Sequence, residues 1–417
     1  MSYDVKDIEL APEGEKQIEW AKQHMPVLKE IRERFSEKKP FDEVTIGAAL
    51  HIESSTAVLL RTLQAGGAEI AGTGSNPLST DDSVAAALAE KGANMYVWRG
   101  EKEEEYYQNL NKVLDHDPDI LIDDGADLIS HVHSEREESL DNIIAAAEET
   151  TTGVKRLRAM DEQGELKIPV FAVNDTPAKS LFDNRFGTGE STINAIMSIT
   201  NSQISGKNVV VIGYGYVGRG IALRAEGLGA NVTVVETDPI KALEAAMKGF
   251  RVTDMENASE FGDLFITATG GYKVINKAHL KNMKDGAILC NSGHFNIEID
   301  LEGLEELSVE SEEIMQDITE YRLEDGRRLH VLAEGRLVNL AGEKSLGHPA
   351  EIMDMSFALQ ALSAERMLTE EYPIGVHDVP PEIDSEVAEM KLKAMGMKLE
   401  EQTEKQKEYE NSWKLGT

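Results

Sequence analysis

Several features are scarce in this chain of 417 residues, and each scarcity excludes a kind of protein or a kind of partner. The one cysteine, Cys290, excludes a disulfide within the chain and fits a reducing cytoplasm, which we expect as its location. No apolar run reaches about eighteen residues, and Met1–Asp7 lacks the basic and apolar parts of a secretory signal, so we expect no membrane span. Basic residues are few, 42 against 76 acidic, and the net charge of −34 argues against nucleic acid or an anionic membrane as a partner.

What the chain does contain is a glycine-rich turn after a β-branched run: residues 207–220 read K-N-V-V-V-I-G-Y-G-Y-V-G-R-G. In this pattern Gly213 permits a tight turn, Gly215 lets the backbone approach a pyrophosphate, and Gly218 lets helix and strand pack closely. Glu236 ends the next apolar run, where a carboxylate binds ribose hydroxyls and repels a 2′-phosphate. The pattern predicts a Rossmann unit that prefers NAD to NADP. The predicted cofactor contacts here are Gly213, Tyr214, Gly215, Tyr216, Val217, Gly218 and Glu236.

Short apolar runs alternate with helical patterns along the whole chain, which indicates α/β architecture. A long amphipathic stretch is expected near Glu13–Lys38, a strand at Val44–Leu50 and a helix at Ile352–Leu368. We predict two doubly wound parallel-sheet domains and a short C-terminal tail. The predicted ranges are 1–186 with 345–390 for a substrate domain, 187–344 for the NAD domain, and 391–417 for the tail.

Ionisable side chains cluster where strands are expected to end, which is where open α/β sheets bind ligands. The segments are H-I-E at 51–53, D-D-G-A-D at 123–127, E-E-T-T-T-G at 148–153, V-N-D at 173–175, K-S-L-F-D-N at 179–184, N-S-G-H-F at 291–295 and G-H-P at 347–349. Alone, each has an ordinary interpretation. The acids at 123–127 could cap a helix, and Lys179 with Asp183 could be a surface ion pair. His51 could be a hydrogen-bonded structural histidine.

Taken in order, these segments resemble the S-adenosylhomocysteine hydrolase family over nearly the whole chain. Further agreement comes from the glycine loop, A-E-G-R-L-V-N-L at 333–340 and Y-P-I-G-V-H at 372–377. The resemblance implies reversible hydrolysis of the thioether of an S-nucleosyl-L-homocysteine, with one tightly bound NAD in each subunit. NAD takes hydride from C3′, the C4′ proton is abstracted, homocysteine leaves, water adds, and the hydride returns.

The resemblance also implies roles for individual residues. The implied catalytic residues are His51, Asp124, Glu149, Lys179, Asp183 and His294. The implied substrate contacts are Glu53, Ser55, Asp124, Glu149, Lys179, Asp183 and His348. The implied cofactor contacts beyond the glycine loop and Glu236 are Thr150, Thr151, Thr152, Asn184, Ser292, Gly293, His294, Asn339 and Lys414. Lys179, with a lowered pKa, would assist deprotonation of the 3′-hydroxyl, and Asp124 would be the C4′ base. No metal site is predicted.

The chain departs from the family pattern at several positions. Thr188 stands where a cysteine is common, so no redox role is available there. Lys241 stands where an asparagine is common, which removes one presumed cofactor contact. No tyrosine follows Lys414 in the tail, so we expect a weaker hold on the NAD of a neighbouring subunit. The resemblance still implies a homotetramer.

The departure beside His51 bears on the substrate. Adenine-specific members typically read H-M-T-x-E-T-A or H-M-T-x-Q-T-A, whereas this chain reads H-I-E-S-S-T-A, with Ser55 at the recognition position and a carboxylate at Glu53. A serine hydroxyl donates to an oxo group as readily as it accepts from an amine, and Glu53 could accept from a protonated N1. Both residues tolerate or favour hypoxanthine without excluding adenine, so S-inosylhomocysteine and S-adenosylhomocysteine both remain candidates.

Two other interpretations stay open at this point. An NAD-dependent 2-hydroxyacid dehydrogenase would share the two-domain layout, but it leaves the segments at 148–153 and 179–184 unexplained. A catalytically silent NAD-binding regulator would be expected to have lost one of the four central residues. All four are present: His51, Asp124, Lys179 and Asp183.

Overall fold

Two eight-stranded sheets form the frame of the molecule, a computed structural model that describes residues 2–342 and 345–414. The predicted domain boundary at 344/345 and the last three residues of the predicted tail involve positions outside those ranges. Among the described residues, no helix is both long and apolar enough to cross a membrane.

The first sheet is entirely parallel, in the order β1-β4-β3-β2-β5-β6-β7-β16. Its strands are β1 (Asp4–Val5), β2 (Thr45–Leu50), β3 (Glu69–Gly74), β4 (Asn94–Val97), β5 (Ile120–Asp123), β6 (Ala145–Glu148), β7 (Pro169–Ala172) and β16 (Gly375–His377). The strand order reverses between β2 and β5, and ligands of such sheets bind beyond the carboxyl ends at this reversal. His51 and Asp124 directly follow these two strands.

The second sheet has the order β10-β9-β8-β11-β12-β15-β14-β13. Its strands are β8 (Asn208–Ile212), β9 (Asn231–Val235), β10 (Arg251–Val252), β11 (Leu264–Thr267), β12 (Ala287–Asn291), β13 (Ser308–Met315), β14 (Ile318–Leu323) and β15 (Arg328–Leu332). β14 runs antiparallel to both neighbours, an edge extension that was not predicted. The reversal lies between β8 and β11, so Gly213 stands at the switch point.

Helices cover both faces of each sheet. They are α1 (Ala11–Gln23), α2 (Pro26–Lys38), α3 (Ser54–Ala65), α4 (Asp82–Glu90), α5 (Glu103–Leu114), α6 (Asp127–Glu135), α7 (Thr151–Glu162), α8 (Pro177–Lys179), α9 (Thr188–Thr200), α10 (Tyr216–Gly227), α11 (Pro239–Met247), α12 (Met255–Phe261), α13 (Lys277–Asn282), α14 (Leu301–Leu307), α15 (Val338–Ala341), α16 (Ala350–Thr369), α17 (Pro381–Ala394) and α18 (Glu404–Glu410). Short 3-10 turns occur at Ile8–Leu10, Glu137–Asp141, Val173–Asp175 and Ala333–Gly335, and a π-helical segment spans Ser180–Gly187. Alternate residues of β2 show the two layers, since Ala48 packs into one core and Ala49 into the other. The doubly wound prediction is confirmed.

The long amphipathic stretch predicted near Glu13–Lys38 forms two helices rather than one. α1 ends at Gln23, and α2 begins at Pro26. Proline lacks the N–H that would continue a helix and disfavours helical backbone at the residue before it. Met25 is accordingly non-helical, with φ −121° and ψ 64°.

Candidate active site

One large cavity lies between the carboxyl ends of the two sheets. Its volume is about 950 Å³. The predicted residues that line it are His51, Glu53, Ser55, Asp124, Glu149, Thr150, Thr151, Thr152, Lys179, Asp183, Asn184, Gly213, Gly215, Tyr216, Val217, Glu236, Ser292, Gly293, His294, Asn339 and His348. Residues predicted to bind substrate and residues predicted to bind cofactor therefore face one continuous space.

Lys179 lies at the centre of the substrate side, on a locally widened helix. α8 runs into the π-helical segment, and such widened turns are frequent at functional sites. Lys179 Nζ lies 3.0 Å from Asp183 Oδ2 and donates to Asn184 Oδ1 at 2.8 Å. Glu149 Oε1 lies 3.4 Å from the same nitrogen. The alternative of a surface ion pair is wrong, because Lys179 is only 4% exposed.

The ionisation of Lys179 differs from the prediction. Burial alone would lower the pKa of Lys179, but attraction to Asp183, Glu149 and Asp124 raises it above its ordinary value. The predicted lowering of the pKa is therefore wrong, since it overlooked three carboxylates around one ammonium. Burial raises the pKa of Glu149 to about 7, against the attraction of Lys179. Glu149 is thus a titratable group beside a permanent cation.

Two polar residues that hold these carboxylates were not predicted. Ser356 Oγ donates to Asp183 Oδ2 at 2.8 Å, and Gln360 Nε2 donates to Glu149 Oε2 at 2.6 Å. Both side chains lie on α16 and are fully buried. Their spacing of four residues on one face of a mostly apolar helix was the signal available in the sequence.

His348 pairs with Asp183 on the other side of Lys179. Its Nδ1 lies 2.5 Å from Asp183 Oδ1. Burial would lower the pKa of His348, but the Asp183 carboxylate raises it overall. Burial would likewise raise the pKa of Asp183, but Lys179 and His348 hold it well below its usual range. Asp183 is therefore an ionised carboxylate between the Lys179 ammonium and the His348 ring.

Asp124 lies between two histidines, the half-buried His51 and the buried His294. His51 Nε2 is 3.6 Å from Asp124 Oδ2, and His294 Nδ1 is 3.9 Å from Asp124 Oδ1. Burial lowers the pKa of His51 to about 3 and that of His294 to about 4, so both rings are neutral at pH 7. Burial raises the pKa of Asp124. Ser79 Oγ lies 2.6 Å from His51 Nδ1 and orients that ring. The arrangement places one carboxyl group and two neutral imidazoles around the same part of the cavity, where each can exchange a proton with a ligand.

Glu53 and Ser55 stand at one end of the cavity, at the start of α3. Glu53 reaches the backbone of Gly347, where a Cβ would lie 1.9 Å from its Oε2. Gly347 also has φ +65°, so glycine is required there for two reasons. Burial raises the pKa of Glu53 to about 7, although His348 opposes the shift. A carboxyl group and a hydroxyl are thus available to recognise a polar ring edge.

The glycine turn forms the opposite end of the cavity. Gly213 has φ +98°, and a Cβ at Gly218 would lie 1.9 Å from Gly213 O. Nothing lies within 4 Å of a Cβ built on Gly215, so the space in front of its backbone is open. The N–H of Tyr214 donates to Glu236 Oε2 at 2.7 Å, which ties the acidic residue to the turn. These are the packing roles expected of a dinucleotide-binding turn.

Three of the described residues predicted as cofactor contacts do not line the cavity. The Tyr214 ring is buried and packs against Phe250 at a centroid distance of 6.1 Å. Gly218 lies behind the turn, where it serves helix packing. Lys414 is exposed beside Trp413 in the tail and lies outside the cavity of its own chain. Lys241, which was predicted to remove a contact, lines the cavity near Glu236.

The residues at this end fit a dinucleotide. Thr152 Oγ1 and Asn339 Oδ1 are buried in the cavity wall without a hydrogen-bond partner among the described residues, so a polar ligand would satisfy them. The helix α10 begins at Tyr216, directly after the open turn, and its N-terminal N–H groups suit a pyrophosphate. NAD would therefore fit against the turn, with Thr152 and Asn339 among the residues that would hold it.

Comparison with known proteins agrees with this site. The model of S-adenosyl-L-homocysteine hydrolase matches residues 2–146, and the model of that family's NAD-binding domain matches residues 184–345. A protein of Methanothermobacter thermautotrophicus named S-inosyl-L-homocysteine hydrolase is 60% identical over 417 residues, covering 100% of both chains.

Further relatives of similar identity carry two different names. One from Methanopyrus kandleri, also named S-inosyl-L-homocysteine hydrolase, is 57% identical and covers 100% of this chain and 98% of its own. One from Sulfolobus acidocaldarius, named adenosylhomocysteinase, is 55% identical and covers 100% of both chains. Full-length matches of this kind do not support the dehydrogenase alternative. The chain belongs to the S-adenosyl-L-homocysteine hydrolase family and carries its NAD-binding domain.

Proposed function

We propose that the protein hydrolyses the thioether of an S-nucleosyl-L-homocysteine, reversibly and with NAD retained through the turnover. The observation that carries the proposal is the buried Lys179, held by Asp183, Glu149 and Asn184, in the same cavity as the glycine turn. Bound NAD would supply the hydride acceptor for C3′ and return the hydride at the end of the cycle. Net hydrolysis then needs no external oxidant.

The Lys179 cluster would act at the 3′-hydroxyl of the ribose. Since its pKa is raised, Lys179 is an ammonium that stabilises negative charge developing on O3′. Glu149, with a pKa near 7 and 3.4 Å from Lys179, is placed to take the O3′ proton. Asp183 would accept hydrogen bonds from the ribose hydroxyls. These roles make Lys179 an electrostatic partner rather than the base.

Asp124 and its two histidines would act at C4′ and C5′. A carboxyl group whose pKa is raised by burial is a suitable base for the C4′ proton once C3′ is a ketone. The neutral imidazoles of His51 and His294 can each accept a proton from water or return one to the sulfur of homocysteine. The division of these two tasks between the rings stays open.

For the base of the nucleoside, we propose hypoxanthine. The support is the Glu53 and Ser55 pair at the cavity end, since a carboxylate accepts from N1–H and a hydroxyl donates to an oxo group. Sequence identity does not distinguish the inosyl from the adenosyl substrate, because relatives with either name lie between 53% and 60% identity.

The test uses the purified full chain with no cofactor added. Bound NAD is measured first, and homocysteine release is then followed with S-inosylhomocysteine and with S-adenosylhomocysteine. We expect release from both or from the inosyl compound alone, with a higher kcat/KM for the inosyl compound. No release from either would refute the hydrolase and leave the silent regulator. Preference for the adenosyl compound would refute only the base assignment.

We further propose a cytoplasmic homotetramer in which the tail contacts a neighbouring subunit. The support is the family, together with an exposed tail helix α18 followed by Trp413, which is 91% exposed. Light scattering of the full chain should give four times the monomer mass of 45.9 kDa. A monomer would refute this proposal without affecting the chemistry.

A further inference from the structure

Glu148 is a buried carboxylate that the proposed mechanism does not use. It ends β6, directly before Glu149, and its strand partner is Asp123 at the end of β5. Its side chain is fully buried. A buried carboxylate is costly unless its oxygens are hydrogen-bonded, so its partners indicate what it does.

The Glu148 carboxylate joins the two loops that follow β5 and β6. Its Oε1 accepts from the N–H of Gly125 at 2.9 Å and from the N–H of Thr150 at 2.8 Å. Its Oε2 accepts from the N–H of Ala126 at 2.9 Å. A Cβ on Gly153 would lie 2.2 Å from the carboxyl carbon, so the first turn of α7 also closes against it. One side chain thus holds three elements together.

The turn that Glu148 holds has strained backbone. Gly125 has φ +117°, and Ala126, which has a side chain, has φ +60°. Successive N–H groups in such a turn form a concavity that suits an acceptor group, and here the carboxyl group of Glu148 fills it, although burial and the neighbouring Asp123 and Asp124 raise the pKa of Glu148 well above its ordinary value. Strain of this kind persists only where the surroundings impose it.

This turn sets the position of the groups that act at C4′. Asp124 precedes Gly125, and a Cβ at Gly125 would lie 2.5 Å from His294 Nε2, so the turn packs directly against that ring. The contacts of the Asp124 carboxylate are the imidazoles at 3.6 and 3.9 Å, which are too long to hold it. Glu149 differs, because Gln360 holds it independently of Glu148.

We infer that Glu148 is a positioning residue that aligns Asp124 for proton abstraction at C4′. Its effect on oxidation at C3′ is smaller. The inference rests on the proposed function. Lys179 and Asp183 lie on α8 and the π-helical segment, whereas the N–H groups that donate to Glu148 within the described part of the chain belong to Gly125, Ala126 and Thr150. Loss of the Glu148 contacts should therefore slow proton abstraction at C4′ more than oxidation at C3′.

The experiment compares two half-reactions of the holoenzyme after addition of the free nucleoside. Absorbance reports reduction of bound NAD, and mass spectrometry in D₂O reports exchange of the C4′ hydrogen. In Glu148→Gln, the amide nitrogen replaces one acceptor oxygen. We expect exchange to fall about 10- to 100-fold while NAD reduction changes less than about threefold, since small misplacement of a base is costly.

The matched control is Glu101→Gln, another buried glutamate, which accepts from Asn109 at 2.7 Å and does not line the cavity. It should leave both rates unchanged. If Glu148→Gln does not fold, Glu148→Asp, which keeps the carboxyl group but shortens its reach, should give the same difference between the two rates. Equal falls in both rates, or no fall in exchange, would overturn the inference. A wild-type protein inactive in both half-reactions would instead refute the proposed function.

Discussion

At the scale of single residues, burial decides the ionisation of the site. Burial raises the pKa values of Glu149 and Glu53 to about 7 and lowers those of His51 and His294 to about 3 and about 4, so the acids hold their protons to higher pH than usual and the histidines lose theirs at lower pH. Lys179 stays charged because three carboxylates outweigh its burial. Such opposed shifts among neighbours are typical of sites that move protons.

The pKa of Glu53 predicts a pH-dependent choice between nucleosides. Burial raises it to about 7, with Asp81 adding to the shift and His348 opposing it. Above that pH the carboxylate accepts from N1–H of hypoxanthine, and below it the carboxyl group can donate to N1 of adenine. The inosyl-to-adenosyl ratio of kcat/KM should therefore rise about tenfold from pH 6 to about pH 8, the worth of one charge-assisted hydrogen bond.

Steady-state kinetics with both nucleosides across that pH range check this expectation. Glu53→Gln is the control, because an amide does not titrate and can present either a donor or an acceptor. A ratio that stays flat in the wild type, or rises equally in the variant, would show that another group sets the dependence.

At the scale of elements, the turn between β8 and α10 is shaped by contacts that a side chain would break. Gly218 and Gly213 are in backbone contact, so both are needed by the fold itself. Gly215 is different, because its backbone is extended, with φ −71° and ψ −166°, and a Cβ there meets nothing within 4 Å. A side chain at Gly215 would instead occupy space that the ligand needs.

Gly215→Ala should therefore leave the cofactor-free fold intact and weaken NAD binding. A methyl group against the pyrophosphate costs about 1–3 kcal/mol, or roughly 10- to 100-fold in Kd. Calorimetric titration measures the affinity, and thermal unfolding measures the fold. Gly227→Ala is the matched control in α10, where a Cβ also meets nothing within 4 Å. It should keep NAD affinity and stabilise slightly. A large loss of Tm in Gly215→Ala would contradict the distinction.

At the scale of the whole molecule, the cavity belongs to both sheets. Residues after β2, β5 and β6 face residues after β8, β9 and β12 across it. A ligand in this position contacts both halves of the chain at once, so its binding energy adds to the stability of the folded state as a whole.

NAD should therefore stabilise the cofactor-free protein by about 2.7 kcal/mol when present at about 100 times its Kd. NADP should stabilise it much less, because Glu236 is ionised: hydrogen bonds from backbone N–H groups outweigh burial and lower its pKa. Calorimetric Tm values with each dinucleotide test this. Glu236→Gln should reduce the difference in Tm between the NAD-bound and NADP-bound protein. Equal stabilisation of the wild-type protein by NAD and NADP would show that Lys241 offsets the repulsion between Glu236 and the 2′-phosphate.

Much of the site was predictable because it depends on short-range spacing. The glycine turn, Glu236 and the ionisable groups at strand ends are local patterns, and parallel strands bring their carboxyl ends to one edge whatever their separation in sequence. The helix break at Pro26 was equally local, and proline chemistry could have predicted it. The antiparallel pairing of β14 with β15 was missed, although the Asp325-Gly326 pair between them is a strong local signal for a hairpin.

The sequence by itself therefore determined the fold class, the NAD-binding turn and most of the residues that face the cavity. Only the tertiary structure decided their ionisation and their supports. Ser356 and Gln360 reach Asp183 and Glu149 from a helix more than 170 residues away in the chain. The pKa of Lys179 depends on how many carboxylates surround it after folding. Electrostatic energies depend on distance and burial in three dimensions, and spacing along a sequence does not contain either quantity.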